Sequence, residues 1–456
     1  MNIKKGLKEE KNIFKDIIER IKKRDFSGNT GIVLKNTIYQ TTGSVVAKIG
    51  ALIFTIILAR LLMPELFGLY SLALSTIMLF TSFSNIGIGE TFVTFVSKEL
   101  GKNNKSKAKA YASYLLKIKI IFLIVALLTL LFSTKFISDV YYQKPLFLAL
   151  IAGIFYILFF ELGNFLGFIF QSTNDFKTVA QKEIIFQFSR IILVPLAILL
   201  SLKYSLSNEE VLFYVILMLA FSYLISSLFI LSKIKKIDFI RTEKEKLNKN
   251  KKDKINQFLL ITSVLVFSGI FFSLIDKVML GRFVEAEYIG YYSAAFGLIS
   301  ALSALIGFSS VLLPIFSRLD DKKIIKGMRR SIKIFFILGI CMFLITLIFA
   351  PIGINIAYGK NYVLSIGMLR FLSPLLAILP LISLYNIYFI SRRKPIIIAK
   401  MLIFSTIINI VLNYILISSF IKYGYLMAVY GAGIATIISQ FIYLFGLMFY
   451  KKNFNN

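Results

Sequence analysis

The chain has 456 residues, 57% of them hydrophobic and 15% aromatic, and a formal charge of +30. A sequence this apolar cannot hide its surface in a soluble core and implies a polytopic membrane protein, with no long soluble domain on which a basic patch could bind nucleic acid. The absence of histidine excludes histidine general-base catalysis, Ser-His triads and His-ligated zinc, and one cysteine excludes an internal disulfide, so neither a catalytic constellation nor a metal site is expected.

Residues 3 to 24 place Ile3, Leu7, Phe14, Ile17, Ile18 and Ile21 at near-helical spacing among many lysines. The segment reads equally as an amphipathic helix on an anionic cytoplasmic leaflet and as a solvated basic helix. These first residues are too polar for a cleavable signal peptide, and 1–31 is expected to be a cytoplasmic N-terminal segment.

From Ile32 onward, apolar segments long enough to cross about 30 Å of hydrocarbon alternate with short polar breaks. They predict an all-α protein of twelve transmembrane helices, at 32–62, 66–96, 111–134, 145–171, 180–202, 209–232, 257–281, 288–317, 331–350, 363–391, 395–419 and 424–450. Cys341, in the apolar run ILGICMFLI, is expected to be a buried structural thiol.

The stretch Arg60 to Ala73, RLLMPELFGLYSLA, recurs 222 positions later as Arg282 to Ala295, RFVEAEYIGYYSAA. Six of the fourteen aligned positions are identical, including Arg60/Arg282, Glu65/Glu287 and Gly68/Gly290, which marks an internal duplication. In each copy an Arg at a helix end suits the carbonyl end of the dipole, and an acidic residue suits the first turn of the next helix. The motif is therefore a tight hairpin, and Tyr70, Tyr291 and Tyr292 are expected in the interfacial belt.

Lys and Arg number 39 in the segments on the side of the N-terminus and six in the opposite loops, a positive-inside signal that puts both termini in the cytoplasm and explains the charge without nucleic acid. The ten basic residues between Lys233 and Lys254 fall halfway along the chain. The expected organisation is an N-lobe of six helices at 32–232, a basic cytoplasmic linker at 233–256, a C-lobe of six at 257–450 and a cytoplasmic tail at 451–456. The lobes form a parallel pseudo-symmetric repeat.

An ionisable side chain deep in a bilayer costs roughly 2.5 to 3.5 kcal/mol and calls for a partner or a function. Lys48 lies near the middle of the first span, Glu161 far from both ends of the fourth, Arg190 about two turns into the fifth, and Arg370 where it could line an outward cavity. These four are candidate substrate-cavity residues. Asp276 and Lys277 near the outer end of span 7, and Glu90 in the inner half of span 2, are candidate gating or coupling residues; for Asp276 and Lys277 a local structural pair is an equal reading, and Glu90 leans toward pairing with a basic neighbour. Lys117, Lys119 and Lys400 are within snorkelling reach of the cytoplasm. Asn409 and Asn413, one turn apart, read as a packing hydrogen bond. Pro195, Pro314, Pro374 and Pro380 mark bends. GINIAYGK at Gly353 to Lys360 has the wrong spacing for a phosphate loop, so no ATP-driven motor is expected.

ARLLMPELFGLYSLA, SNIGIGE, IDKVMLGRFVEAEYIGYYSAA, VLLPIFSRL, AYGKNYVLS, INIVLNYILI and YGAGIATIIS, in that order, resemble the multidrug/oligosaccharidyl-lipid/polysaccharide flippase superfamily, and within it the polysaccharide-biosynthesis flippases. Where the family's second helix often has Asp-x-Gly, this chain has Asn85, Ile86 and Gly87. The resemblance implies two six-helix lobes around a central cavity, alternating access in a plasma membrane, and a polyprenyl-diphosphate-linked oligosaccharide as substrate. Membrane lipids and glycan-assembly enzymes are the partners it suggests, with no cofactor beyond a coupling ion, Na+ or H+. Lys48 and Arg190 are read from their depth and not from the resemblance. The alternatives are a cation-coupled small-molecule exporter of the same superfamily, with Glu90, Glu161 or Asp276 as coupling carboxylate, and a membrane glycosyltransferase or polymerase, for which the short outer loops are unsuited.

Overall fold

A computed structural model describes residues 28–306, 316, 321–392 and 394–454. The expected amphipathic segment at 3–24, and Pro314, lie outside the described residues. The chain is all-α: α1 Gly28–Ser84, α2 Ile88–Leu100, α3 Lys105–Lys135, α4 Phe147–Ser172, α5 Phe176–Lys203, α6 Asn208–Ser232, α7 Asp238–Arg241, α8 Lys249–Phe283, α9 Ala286–Ile306, α10 Asp321–Ala357, α11 Leu364–Leu372, α12 Leu375–Ser391, α13 Pro395–Phe420 and α14 Tyr425–Phe454.

Short polar turns start these helices with side-chain caps. Asn104, Asp175 and Asn248 each accept the backbone N–H three residues on, and Ser207 and Glu210 form a capping box. Outward-facing residues are large and apolar, with Phe132, Phe188, Ile356 and Phe449 all more than half exposed. Such a surface is stable only under lipid, so this is a multi-pass membrane protein.

Among the described residues ten helices are long and apolar enough to cross a membrane, or eleven if α11 and α12, bent by 44° at a short break, make one span. The expected twelve is not reached by that count because the first two expected spans run together as Ile38–Ser84, 47 residues. At 1.5 Å per residue that is about 70 Å, more than twice the hydrocarbon thickness. It is interrupted at Met63 (φ 59°, ψ 171°), after which Pro64, lacking an N–H, starts a new helix. The expected continuous span 66–96 is itself broken: α1 stops at Ser84, Gly87 takes a left-handed φ of 68°, and α2 restarts at Ile88.

Two faces follow from the connections. The hairpin face carries Met63 and the turns after α3, α5, α8, α10 and α13; the linker face carries those after α2, α4, α6 and α12. A large core runs through both halves of the chain, and a second cluster at the linker face gathers Phe92, Tyr111, Phe165 and Phe170 with Ile237, Phe239 and Ile255. The basic stretch expected as a linker is thus folded onto the first half. Lys105 pairs with Asp238 at 3.3 Å, Glu245 N–H donates to Ser106 O at 3.4 Å, and the Lys251 hydrogen bond (2.6 Å) holds the Glu245 carboxyl below its usual pKa.

Three expectations are corrected here. Cys341 is exposed on the outside of α10, because its helical phase turns it away from the bundle. Tyr70, Tyr291 and Tyr292 are buried in the core and do not form an interfacial belt. Arg60 and Arg282 do not serve the ends of their own helices; each donates to carbonyls in the opposite half of the chain.

Candidate substrate cavity and coupling site

The first half of α1 carries Gly43 and Gly50 toward α5, where a Cβ would meet Ala180 or Gln187, so backbones approach closely on that side. Lys48 lies on another side of α1, against α9, and its Nζ stands 3.5 Å from Ala304 O. Around it a cleft of about 240 Å³ is lined by Ser300, Ser303, Ala304, Leu379, Pro380 and Ser383. An exposed ammonium from the first half of the chain, facing hydroxyl-bearing walls from the second, can receive an anionic group.

Arg190 does not line that cleft. Because α5 begins at Phe176, Arg190 sits about four turns in, deeper than expected. Its guanidinium stacks on Phe54 and Phe186, 4.6 and 4.9 Å from the ring centres, and its Nε and Nη2 are buried without a protein partner. Phe186 stacks in turn on Tyr223, which meets Tyr156 edge-on. This is an aromatic box around a cation with donors to spare.

Glu161 is 1% exposed and forms a salt bridge with Lys119, which is 3% exposed. Lys119 does not snorkel: its Nζ also donates to the backbone carbonyl and the Oγ of Ser84, both at 3.0 Å. The pair therefore ties down the end of α1 at the break before Gly87, and Glu161 does not line the Lys48 cleft. Arg370 is likewise engaged elsewhere. Its Nε donates to Leu347 O at 3.0 Å, the carbonyl that loses its helical partner because Pro351, four residues on, has no N–H. Glu90 is exposed in the first turn of α2 and makes no ion pair among the described residues.

The densest polar cluster lies in the second half. Asp276, 4% exposed on α8, accepts from Asn413 Nδ2 at 2.7 Å, from Tyr292 Oη at 3.0 Å and from Thr436 Oγ1. The side-chain oxygens of Asn409 and Asn413 are buried there without donors. A carboxylate beside two unpaired amide oxygens, with no cation among its hydrogen-bond partners, suits a proton or a hard monovalent cation. Lys277 is half-buried beside it and makes no ion pair among the described residues.

Reading the sequence missed that Asp276 and the two asparagines form one group. The signal was depth: Asp276 and Asn413 each stand seven residues before the end of their helices, Phe283 and Phe420.

Residues 33–320 match the family model described as polysaccharide biosynthesis protein. No curated protein matches the chain by sequence. Among solved structures, the chain is similar to the lipid II flippase MurJ in an inward closed conformation, at 16% identity and a TM-score of 0.67, over 90% of this chain and 87% of that one. It is similar also to an inward-facing multidrug resistance MATE family transporter of the MOP superfamily, at 15% identity and a TM-score of 0.64, covering 91% and 97%. A MOP superfamily transporter from Pyrococcus furiosus matches at 15% identity and a TM-score of 0.54, covering 92% and 95%. With a family model over more than half its length, the chain belongs to the polysaccharide biosynthesis protein family, and it shares its fold with transporters of the MOP superfamily.

Proposed function

We propose that the protein is a flippase that carries a polyprenyl-diphosphate-linked oligosaccharide from the inner to the outer leaflet of a plasma membrane by alternating access, and is not an enzyme. On this reading the two halves act as six-helix lobes, the linker face is cytoplasmic and the hairpin face is external. The observation that carries it is Lys48 in its hydroxyl-lined cleft between α1 and α9. A diphosphate docks on that ammonium, and the Arg190 guanidinium, with its unpaired donors, supplies a second cation deeper in the first lobe. The family description and a flippase among the similar structures support the reading. Moving about two negative charges outward against an inside-negative potential of 100 mV is favourable by roughly 4 to 5 kcal/mol, so no ATP is needed. Lys48→Ala is expected to insert normally while lipid-linked oligosaccharide accumulates on the inner leaflet; normal surface glycan in that variant would overturn the proposal.

The oxygen cluster at Asp276 favours a second reading, a cation-coupled small-molecule exporter, as one of the similar structures is a multidrug transporter. Loss of drug export in Asp276→Asn, with surface glycan untouched, would select it. The two readings share the cluster: in the flippase it takes the Na+ or H+ that resets the lobes.

A further inference from the structure

We propose that the duplicated hairpin is the gate on its face of the membrane, held shut in this conformation by two crossed guanidinium clamps, with Arg60 and Arg282 as its latch residues. Arg60, at the end of the first half of α1, donates from Nε to Ala357 O at 2.7 Å and from Nη2 to Ile356 O, the last carbonyls of α10. Arg282, near the end of α8, donates from Nη1 to Val140 O at 2.9 Å and Tyr141 O at 2.8 Å, in the π-helical turn that ends α3. Each half thus sends the Arg of its own hairpin to a helix C-terminus of the other, where carbonyls lack intrahelical partners and the dipole is negative.

The residue before each Arg repeats the exchange. Ala59 O accepts from Tyr362 Oη and Gly281 O accepts from Lys144 Nζ, both at 2.8 Å, and Ala59 and Gly281 are themselves 222 positions apart. Between the clamps the two copies touch backbone to backbone. A Cβ on Gly68 would lie 1.8 Å from Ala286 O, and one on Gly290 2.0 Å from Pro64 O. The Gly identity of the repeat is therefore explained by contact between its copies, and the Arg identity by contact of each copy with a helix end in the opposite half.

These contacts suit reversible closure. The acceptors of both arginines are backbone carbonyls in exposed or half-buried contacts that water can satisfy once the hairpins part, so opening leaves no buried unpaired charge. The cleft at Lys48 lies about 18 Å below Arg60 along α1, so parting the hairpins would open it to this face. The proposal rests on the transporter family and not on the cargo: normal surface glycan in Lys48→Ala, with labelling changed as expected below, would count against the flippase reading alone.

The test is site-directed labelling in a Cys341→Ser background. Ser300→Cys reports the cleft and Ser205→Cys, in the exposed turn after α5, marks the hairpin face. A membrane-impermeant maleimide is applied separately to each face of sealed vesicles. With both arginines present Ser300→Cys should react slowly from the hairpin face. Arg60→Ala and Arg282→Ala should each raise that rate several-fold, their combination more, and Arg60→Lys, with one donor group where two bonds stand, should fall between. An unchanged rate in the folded double variant, or a rise equal from both faces, would overturn the proposal.

Discussion

Asp276 and Asn413, on helices 137 residues apart in sequence, meet at the same depth, with Asn413 Nδ2 donating to Asp276 Oδ1 at 2.7 Å. Neutral donors from α9, α13 and α14 complete the shell around a carboxylate that has no counter-charge in its hydrogen-bond set. An anion buried this way is costly unless a proton or cation joins it.

Purified protein should therefore melt at a higher temperature in Na+ than in an equal concentration of a large organic cation, and Asp276→Asn should abolish the difference. If the ligand is a proton, the melting temperature will respond to pH and not to Na+, and the same substitution will remove the pH response. A melting temperature indifferent to both in the unsubstituted protein would remove Asp276 as a coupling site.

The Lys119–Glu161 pair invites a different comparison, because its role is to hold the broken second span. Lys119→Met leaves the Glu161 carboxylate buried without a partner, and Glu161→Leu strands the ammonium. Each single change should cost about 3 to 5 kcal/mol. The double substitution Lys119→Met/Glu161→Leu should cost less than either, since no uncompensated charge remains. Denaturation in mild detergent measures all three, and additive losses would show that the two residues act separately.

How much of this was legible follows from what each signal measures. Hydropathy and the duplication placed nearly every helix, and the charge bias divided the loops into two sets, because those are local properties of segments. Depth alone singles out Lys48 as a polar group far from a helix end, but it puts Asp276 near the outer end of its span. It does not see partners: position along α3 puts Lys119 within snorkelling reach and says nothing of Glu161 across the gap. The same blindness puts Tyr292 at the interface, although its hydroxyl serves Asp276. The break at Asn85–Gly87 was readable in principle, since Asn and Gly so close together favour left-handed backbone, but hydropathy runs straight across it.

Arg370 gives a prediction from backbone chemistry. Arg370→Leu should destabilise the protein by about 1 to 3 kcal/mol, by leaving Leu347 O unpaired in lipid. Pro351→Ala restores the N–H that this carbonyl lacks, so the Arg370→Leu loss should shrink in the Pro351→Ala background. A double-mutant cycle on melting temperature checks this, and a coupling near zero would return Arg370 to the candidate cavity residues.

The glycines of the repeat give the last prediction, and it separates the packing of the hairpins from their charges. Gly68→Ala places a methyl 1.8 Å from Ala286 O, a distance that no rotamer can relieve because both partners are backbone. The hairpins must move apart, although both arginines remain. If closure depends on the close approach of the two copies, Gly68→Ala and Gly290→Ala will each expose Ser300→Cys from the hairpin face as strongly as Arg60→Ala does. Gly353→Ala, which meets nothing within 4 Å, serves as the control on the same face. Should the Ala variants at 68 and 290 stay sealed while the Arg variants open, closure would reside in the clamps alone, and the repeated glycines would matter only for the fit of the folded hairpins.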